Sequence, residues 1–133
     1  MGGPRVRVRI VDDHDMVRSG LAILLEAFDD LDLVGVAENG AEAVQLCDRI
    51  QTDVVLMDLI MPEMDGIAAA RAIRQGHPQV QVVALVGFGN EGMLDGMMKA
   101  GAASHVLKNA SIDHIAAAIR AAHAQSMAAE TCL

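Results

Sequence analysis

The chain has 133 residues, 53% of them hydrophobic, and carries a formal net charge of −8 at pH 7. This length suits a single domain with a sizeable core, and the apolar content excludes a disordered chain. The negative charge argues against direct nucleic-acid binding by this domain, because affinity for phosphate backbones comes mainly from Lys and Arg.

The sequence carries no membrane or secretion signal. No apolar run reaches the roughly 18 residues of a membrane helix, and the N-terminal residues alternate with Arg where a signal peptide would have its apolar centre. Of the two cysteines, Cys47 falls on the apolar face of a predicted helix and Cys132 lies in the tail. We therefore expect a soluble, cytoplasmic protein with free thiols.

The first half of the chain predicts three strands separated by two helices. Strands are predicted over 6–11, 33–37 and 54–58, where apolar residues alternate or run together. Arg9 is unusual in this pattern, because a central parallel strand is covered on both faces. Apolar residues at helical spacing predict the two helices, at Val17, Leu21, Leu24, Leu25 and Phe28 and then at Ala43, Val44, Leu46, Cys47 and Ile50.

The second half continues the alternation. Its predicted elements are a helix over 67–76, a strand over 80–86, a helix over 91–100, a strand over 104–107 and a last helix from the cap Ser111 to about residue 122. Gly92 and Gly96 each cost about 1 kcal/mol relative to Ala in a helix interior, so the fourth helix should be weak and mobile. Residues 124–133 show no strong period and are either a linker or an extension of the last helix.

Five strands alternating with five helices predict an α/β domain. Because the strands are separated by helices, they form a doubly wound five-stranded parallel sheet of (βα)5 type, with helices on both faces. No repeat, low-complexity tract or second domain is visible in the sequence.

Charged residues follow three of the predicted strands. Asp12 and Asp13 follow the first strand, Asp58 ends the third, and Lys108 follows the fifth. In a parallel sheet these ends share one edge, where clustered carboxylates repel one another and a divalent cation relieves the repulsion. Mg²⁺ is the expected ion, and Asp58 is the candidate nucleophile toward a phosphoryl group, with Lys108 neutralising charge on its oxygens.

Each of these residues also has a purely structural explanation. Asp58 alone could cap the next helix, although Asp65 before Gly66 is the better cap. The acidic pair could form a solvated turn, and Lys108 could be an ordinary surface lysine. Their joint placement at the ends of separate apolar strands favours a site.

The motifs resemble those of response-regulator receiver domains over nearly the whole chain, from residue 6 to about residue 124. The matching positions are Asp12-Asp13 for the acidic pair, Asp58 within Val-Val-Leu-Met-Asp-Leu-Ile-Met-Pro for the phosphoacceptor, 61–66 for the loop after it and Lys108 for the family's lysine. The resemblance implies a flavodoxin-like receiver fold with strand order 2-1-3-4-5.

The resemblance also implies the chemistry of the site. Asp13 and Asp58 would bind Mg²⁺ together with the backbone carbonyl of Ile60, and Asp12 would act largely through water. Asp58 would accept its phosphoryl group from a sensor histidine kinase. Such a domain is not an enzyme beyond its own phosphorylation and dephosphorylation.

Three short stretches, at 12–14, 17–21 and 107–110, are most similar to receivers of NarL/FixJ (LuxR-type) transcription factors. This similarity implies a receiver domain over 1–124 and a C-terminal linker over 125–133 toward a helix-turn-helix output domain that this chain lacks. It also implies a homodimer, through either the fourth helix, fifth strand and last helix or the first and last helices. DNA would be contacted through the output domain alone.

Two positions depart from the family pattern. Val86 stands where the family has Thr or Ser, whose hydroxyl bonds the phosphoryl group, and His105 stands where this subfamily has Tyr or Phe. Gly87 keeps the small residue that gives access to Asp58. Ile60 and Phe88 are apolar and would shield an acyl phosphate from water.

These departures leave three interpretations. The first is a phosphoacceptor that regulates an attached DNA-binding domain. The second, favoured by Val86 and His105, is an atypical receiver that acts as a phosphorylation-independent dimerisation or ligand-sensing module. The third is a Mg²⁺-dependent phosphatase, which Ile60 disfavours because such enzymes place a second Asp at that position.

Overall fold

Five parallel strands form one sheet in the order β2-β1-β3-β4-β5. The structure is a computed structural model that describes residues 5–59, 65–87, 89 and 91–131, with side chains described as far as Met127. The strands are β1 Val6–Val11, β2 Leu31–Ala37, β3 Val54–Asp58, β4 Gln81–Val86 and β5 Ser104–Leu107. The predicted doubly wound sheet and its strand order are confirmed.

The helices are α1 Asp15–Leu25, α2 Gly40–Arg49, α3 Gly66–Gly76, α4 Leu94–Lys99 and α5 Ile112–Thr131, with a 3₁₀ turn at Glu91–Met93 before α4. Because successive strand residues point to opposite faces, the sheet separates two apolar clusters. One contains buried residues of α2, α3 and α4, and the other contains those of α1 and α5. None of the described helices is long and apolar enough to cross a membrane.

The predicted weak helix over 91–100 is shorter than expected. Gly92 lies in the 3₁₀ turn, and the α-helical part has only six residues. Gly96 lies inside α4, where a Cβ would come within 3.1 Å of the Ile67 side chain. Any larger residue at this position would therefore require the Ile67 side chain to shift slightly.

The last helix is longer than its sequence pattern indicated. α5 continues to Thr131, so the part of 124–133 that the structure describes is helical. Ser126 anchors this additional part, because its hydroxyl donates a hydrogen bond to the Gln79 carbonyl oxygen at 3.0 Å. Cys47 is a buried free thiol, as predicted, while Cys132 lies outside the described residues.

Arg9 is buried in the sheet with 1% of its surface exposed. Its Nε and Nη2 atoms have no hydrogen-bond partner in the described part of the chain. The guanidinium lies over β2 at Gly35, where a Cβ would come within 2.6 Å of Nη1. The absence of a side chain at Gly35 therefore makes the room that Arg9 occupies. Arg7, two residues earlier, instead pairs with Asp53 through Nε and Oδ2 at 3.1 Å.

We expect Arg9→Met to raise the free energy of unfolding by about 1–4 kcal/mol, because a hydrophobic side chain of similar length replaces a buried, incompletely paired charge. Urea denaturation followed by circular dichroism measures this change. The matched control is Arg7→Met on the same strand, which loses a partly exposed ion pair and should lower stability by up to about 1 kcal/mol. Equal losses in the two variants would contradict the prediction.

Candidate functional site

The carboxyl-terminal edge of the sheet brings together the charged residues predicted from the sequence. Asp12 follows β1, and its backbone N–H donates to the Ala37 carbonyl oxygen at 3.1 Å. Lys108 follows β5, and its backbone N–H donates to the Val86 carbonyl oxygen at 2.9 Å. Asp58 is the last residue of β3, between these two positions. Strand ends therefore fix the backbone at all three places.

The Lys108 ammonium bridges two buried carboxylates. Its Nζ atom lies 3.0 Å from Asp12 Oδ2 and 3.1 Å from Asp58 Oδ1. The carboxylates are 0% and 1% exposed, and the lysine side chain is 20% exposed. Lys108 is therefore not an ordinary surface lysine, because it faces two charges that water does not screen.

One ammonium does not compensate the negative charge fully. Burial raises the pKa of Asp58 above its ordinary value, the Asp12 carboxylate adds to this effect, and Lys108 opposes it without cancelling it. Burial acts against the charge of Lys108, but attraction to Asp12 and Asp58 outweighs it and raises the Lys108 pKa. Lys108 is therefore held in its charged form, while an ionised Asp58 costs folding free energy.

The pocket has further capacity for a cation. Asp12 Oδ2 and both oxygens of Asp58 are buried and accept no hydrogen bond within the described residues. Asp12, Asp13, His14 and Asp58 each place one potential ligand atom within 4.8 Å of the others. Oxygen donors of this kind suit Mg²⁺, so the residues present fit the predicted ion. Ile60, whose carbonyl was predicted as a ligand, lies outside the described residues.

His14 belongs to this cluster, although the sequence analysis assigned it no role. Its Nδ1 lies 2.8 Å from Asp12 Oδ1 and 3.2 Å from Asp13 Oδ1. Its backbone N–H also donates to Asp12 Oδ1, at 2.8 Å. The sequence places His14 directly after the acidic pair, which was the one indication of a role. Its contact with both carboxylates depends on the turn after β1, which the sequence pattern does not predict.

Arg18 is a second residue that sequence reasoning missed. Its Nη1 donates to the backbone carbonyl oxygen of Asp12 at 2.6 Å, and its other terminal nitrogen pairs with Asp15. Arg18 therefore ties α1 to the loop that carries the acidic pair. Its position directly after Val17 in the predicted helix gave no indication of this contact.

Asp58 does not cap the helix that follows it. The α3 cap is Asp65, whose Oδ1 accepts a hydrogen bond from the Ala68 N–H at 2.8 Å, as predicted. Gly66 packs directly against β3, where a Cβ would collide with the Asp58 carbonyl oxygen and come within 2.9 Å of Leu59 Cα. The Asp58 carboxylate is thereby left available for chemistry.

The two positions that depart from the family pattern, Val86 and His105, have different surroundings. Val86 ends β4 and is 1% exposed within the apolar cluster that includes Met97. Gly87 is half-buried, and His105 is exposed on β5, where it is paired in register with Ala84. Val86 is thus a core residue beside the site, while His105 faces solvent. Phe88, predicted to shield the site, lies outside the described residues.

A cavity of about 650 Å³ lies at the opposite edge of the sheet, where β3 and β4 begin. Its lining includes Thr52, Asp53, His77 and His123. It contains none of the clustered carboxylates. The chemistry of the clustered charges therefore places the candidate site at the acidic edge and not in this cavity.

Comparison with known proteins identifies similar chains along most of this length. Residues 8–120 match the family profile of the response regulator receiver domain. The chain is 42% identical over 117 residues to the transcriptional regulatory protein LiaR of Bacillus subtilis, covering 88% of this chain and 56% of LiaR. It is 37% identical over 115 residues to the response regulator GacA of Pseudomonas viridiflava, covering 86% of this chain and 54% of GacA. The chain spans about half the length of these curated relatives.

Solved structures show the same architecture. The response regulator domain of Thermotoga maritima CheB superposes with a TM-score of 0.82 at 28% identity, covering 90% of this chain and 96% of that domain. A two-component response regulator of the LuxR family from Aurantimonas gives a TM-score of 0.81 at 29% identity, covering 97% and 99% of the two chains. These similarities agree with the observed fold and strand order.

We expect Asp58→Asn to raise the free energy of unfolding at neutral pH in metal-free buffer. The raised pKa of Asp58 means that its ionised form opposes folding, whereas a neutral amide does not. The stabilising contribution of this carboxyl is present at low pH and is lost as pH rises through its folded-state pKa. The difference in the free energy of unfolding between wild type and Asp58→Asn should therefore become smaller as the pH is lowered.

Urea denaturation with EDTA present, repeated across the acidic range, measures this difference. The matched control is Asp53→Asn before the same strand, which loses its ion pair with Arg7 and should lower stability by up to about 1 kcal/mol. A less stable Asp58→Asn variant at neutral pH would contradict the charge argument.

Proposed function

The chain belongs to the response regulator receiver domain family, and from this premise we propose that Asp58 accepts a phosphoryl group from a sensor histidine kinase. The observation that carries the proposal is the state of the Asp58 carboxylate. It is buried at the carboxyl-terminal edge of the sheet, accepts no hydrogen bond in the described residues and lies within ion-pair distance of Lys108. An oxygen with unused lone pairs beside a fixed cation is suited to nucleophilic attack.

The transfer step follows from this arrangement. An oxygen of ionised Asp58 attacks the phosphorus of a phosphohistidine, the O–P bond forms, and the P–N bond breaks. The leaving imidazole takes up a proton, and the product on Asp58 is an acyl phosphate. Lys108, already held in its charged form, is placed to pair with the oxygens of the transferred group.

We propose Mg²⁺ as the cofactor of this step. Asp13 and Asp58 would hold it directly and Asp12 through water, with the carbonyl of Ile60 as a further ligand. When bound, Mg²⁺ would neutralise negative charge on the phosphoryl oxygens. Asp58 Oδ2 supports this assignment, because it is buried and has neither a hydrogen bond nor an ion pair among the described residues, while Asp12 Oδ2 and Asp58 Oδ1 contact Lys108 alone.

The proposed biological role is regulation of an attached DNA-binding domain through dimerisation. The relatives include a transcriptional regulatory protein, and this chain covers about half of their length. Residues 125–133 would lead from the receiver toward that domain, which would make the DNA contacts that an acidic receiver does not favour. The relatives are named as regulators, and none of their names describes an enzyme.

Two observations favour a second candidate, an atypical receiver whose phosphorylation does not drive output. Val86 carries no hydroxyl and is packed in the core, so it offers no hydrogen bond to a phosphoryl group. His105 faces solvent and not the interior. Phosphorylation chemistry and signal transmission are thus separable in this chain, and a test is needed for each.

The first test is intact-mass analysis after incubation with Mg²⁺ and acetyl phosphate. We expect the mass of one phosphoryl group to be added, and we expect EDTA or Asp58→Asn to abolish the adduct. Asp53→Asn serves as the matched control and should still be phosphorylated. An adduct that persists in Asp58→Asn, or its absence from wild type at saturating donor, would contradict the phosphoacceptor assignment.

The second test restores the missing hydroxyl with Val86→Thr. A hydrogen bond to a charged group contributes about 1.5–3 kcal/mol, so phosphorylation should strengthen dimerisation roughly 10- to 100-fold more in this variant than in wild type. Sedimentation equilibrium with and without acetyl phosphate measures the effect. Val36→Thr, on the exposed part of β2, is the control. Equal responses in all three proteins would show that the hydroxyl at position 86 does not limit transmission.

A further inference from the structure

The acidic pocket contains a nitrogen donor as well as oxygen donors. His14 Nδ1 lies beside one oxygen of Asp12 and one of Asp13, at 2.8 and 3.2 Å. The imidazole is 63% exposed, so one side of the ring faces solvent and the other faces the carboxylates. The backbone N–H of His14 also donates a hydrogen bond to Asp12 Oδ1, which holds the ring close to the carboxylates.

Without an ion, the contact between His14 Nδ1 and Asp12 Oδ1 is a hydrogen bond, and the same spacing also suits neighbouring ligands on one metal ion. Two atoms bonded at about 2.1 Å to an ion, in adjacent octahedral positions, lie roughly 3 Å apart. The contacts of His14 Nδ1 with the two carboxylates fall close to this value. Both Asp58 oxygens are buried and have no hydrogen-bond partner among the described residues, and one of them lies within 4.8 Å of a ligand atom on each of the other three residues. One ion can therefore contact His14 and the carboxylates together after small adjustments.

The identity of the donors determines which ion the pocket favours. Carboxylate and carbonyl oxygens suit Mg²⁺, whereas imidazole nitrogen suits Zn²⁺, Ni²⁺ and other first-row transition ions. A pocket with carboxylates alone discriminates between these classes less strongly than one that adds a nitrogen. For such a ligand the neutral ring must present its Nδ1 lone pair to the ion, with the proton on Nε2.

We propose that His14 is a direct ligand in the acidic pocket and that, through it, the pocket binds transition-metal ions such as Co²⁺, Ni²⁺ and Zn²⁺ in preference to Mg²⁺. This inference deepens the proposed function, since it concerns the same pocket. Its consequence is a receiver whose acidic site responds to the transition metals available as well as to a phosphoryl donor. Which metal ion the pocket binds would then depend on His14, in addition to the acidic pair and Asp58.

Calorimetric titration of metal-free protein with Co²⁺, and separately with Mg²⁺, tests the ligand assignment. We expect His14→Ala to weaken Co²⁺ binding at least about tenfold, because losing even an indirect support of a metal site costs 10- to 100-fold. Mg²⁺ binding should change less than about threefold. His14→Asn, which offers an oxygen instead of a nitrogen, should behave in the same way and provides a second variant if His14→Ala is poorly folded.

The matched control is His123→Ala, which removes a histidine at the opposite edge of the sheet. It should leave the affinity for both ions unchanged. Proton NMR of the Co²⁺ protein supplies a direct readout: a histidine ring signal shifted by the paramagnetic ion should be present in wild type and His123→Ala and absent from both His14 variants. Equal Co²⁺ affinity in wild type and the His14 variants, or a shifted signal that survives in them, would overturn the proposal.

These outcomes are distinguishable from a failure of the proposed function. Metal binding is measured without a phosphoryl donor, and phosphorylation of Asp58 is measured by mass with Mg²⁺. A phosphorylated wild type whose Co²⁺ affinity does not depend on His14 would reject this inference alone. Co²⁺ binding that depends on His14, in a protein that forms no adduct on Asp58, would reject the phosphoacceptor role alone.

Discussion

The central interaction of the structure is the ion pairing of one ammonium group, that of Lys108, with two buried carboxylates, those of Asp12 and Asp58. Lys108 reaches both Asp12 and Asp58 at ion-pair distance, and each carboxylate is almost fully removed from solvent. Burial and, after it, repulsion from Asp12 raise the pKa of Asp58, and the single charge of Lys108 does not cancel these two effects. The excess of negative charge at the acidic edge therefore lowers the free energy of unfolding. The same excess favours binding of a cation, or of a phosphoryl group together with a cation.

The rest of the fold holds these charges in place. The register of the sheet places the ends of β1 and β3 side by side. Lys108 follows β5, which pairs with β4 on the side away from β3. Gly66 lets α3 start against the backbone of β3, and Asp65 caps that helix so that Asp58 does not have to. Arg18 ties α1 to the Asp12 carbonyl. These contacts, together with the strand pairing, hold the backbone in place against the repulsion between the carboxylates.

The sequence alone predicted the five strands, the parallel sheet and four of the clustered charges, because these follow from local periodicity and from the common edge of strand ends. It did not predict contacts that require knowledge of a second element. The burial of Arg9 depends on space left by Gly35 on the neighbouring strand, and the role of Arg18 depends on how α1 lies over the Asp12 loop. Likewise, the extension of α5 is anchored by Ser126 on the Gln79 carbonyl, a contact between residues 47 positions apart.

The chemistry and its readout occupy different physical environments. Asp12, Asp58 and Lys108 form a polar cluster at the rim of the sheet, while Val86 is packed with Met97 in the apolar layer beneath α3 and α4. A phosphoryl group at the rim would act on a hydroxyl at position 86 by attraction, but on valine it can act only through packing. Packing responds to shape and not to charge, so through Val86 a phosphoryl group could act on α4 only by the volume that it occupies. The six residues of α4 and the 3₁₀ turn before it form a short element, and a short element is the part of this layer that a change in volume can move at least cost.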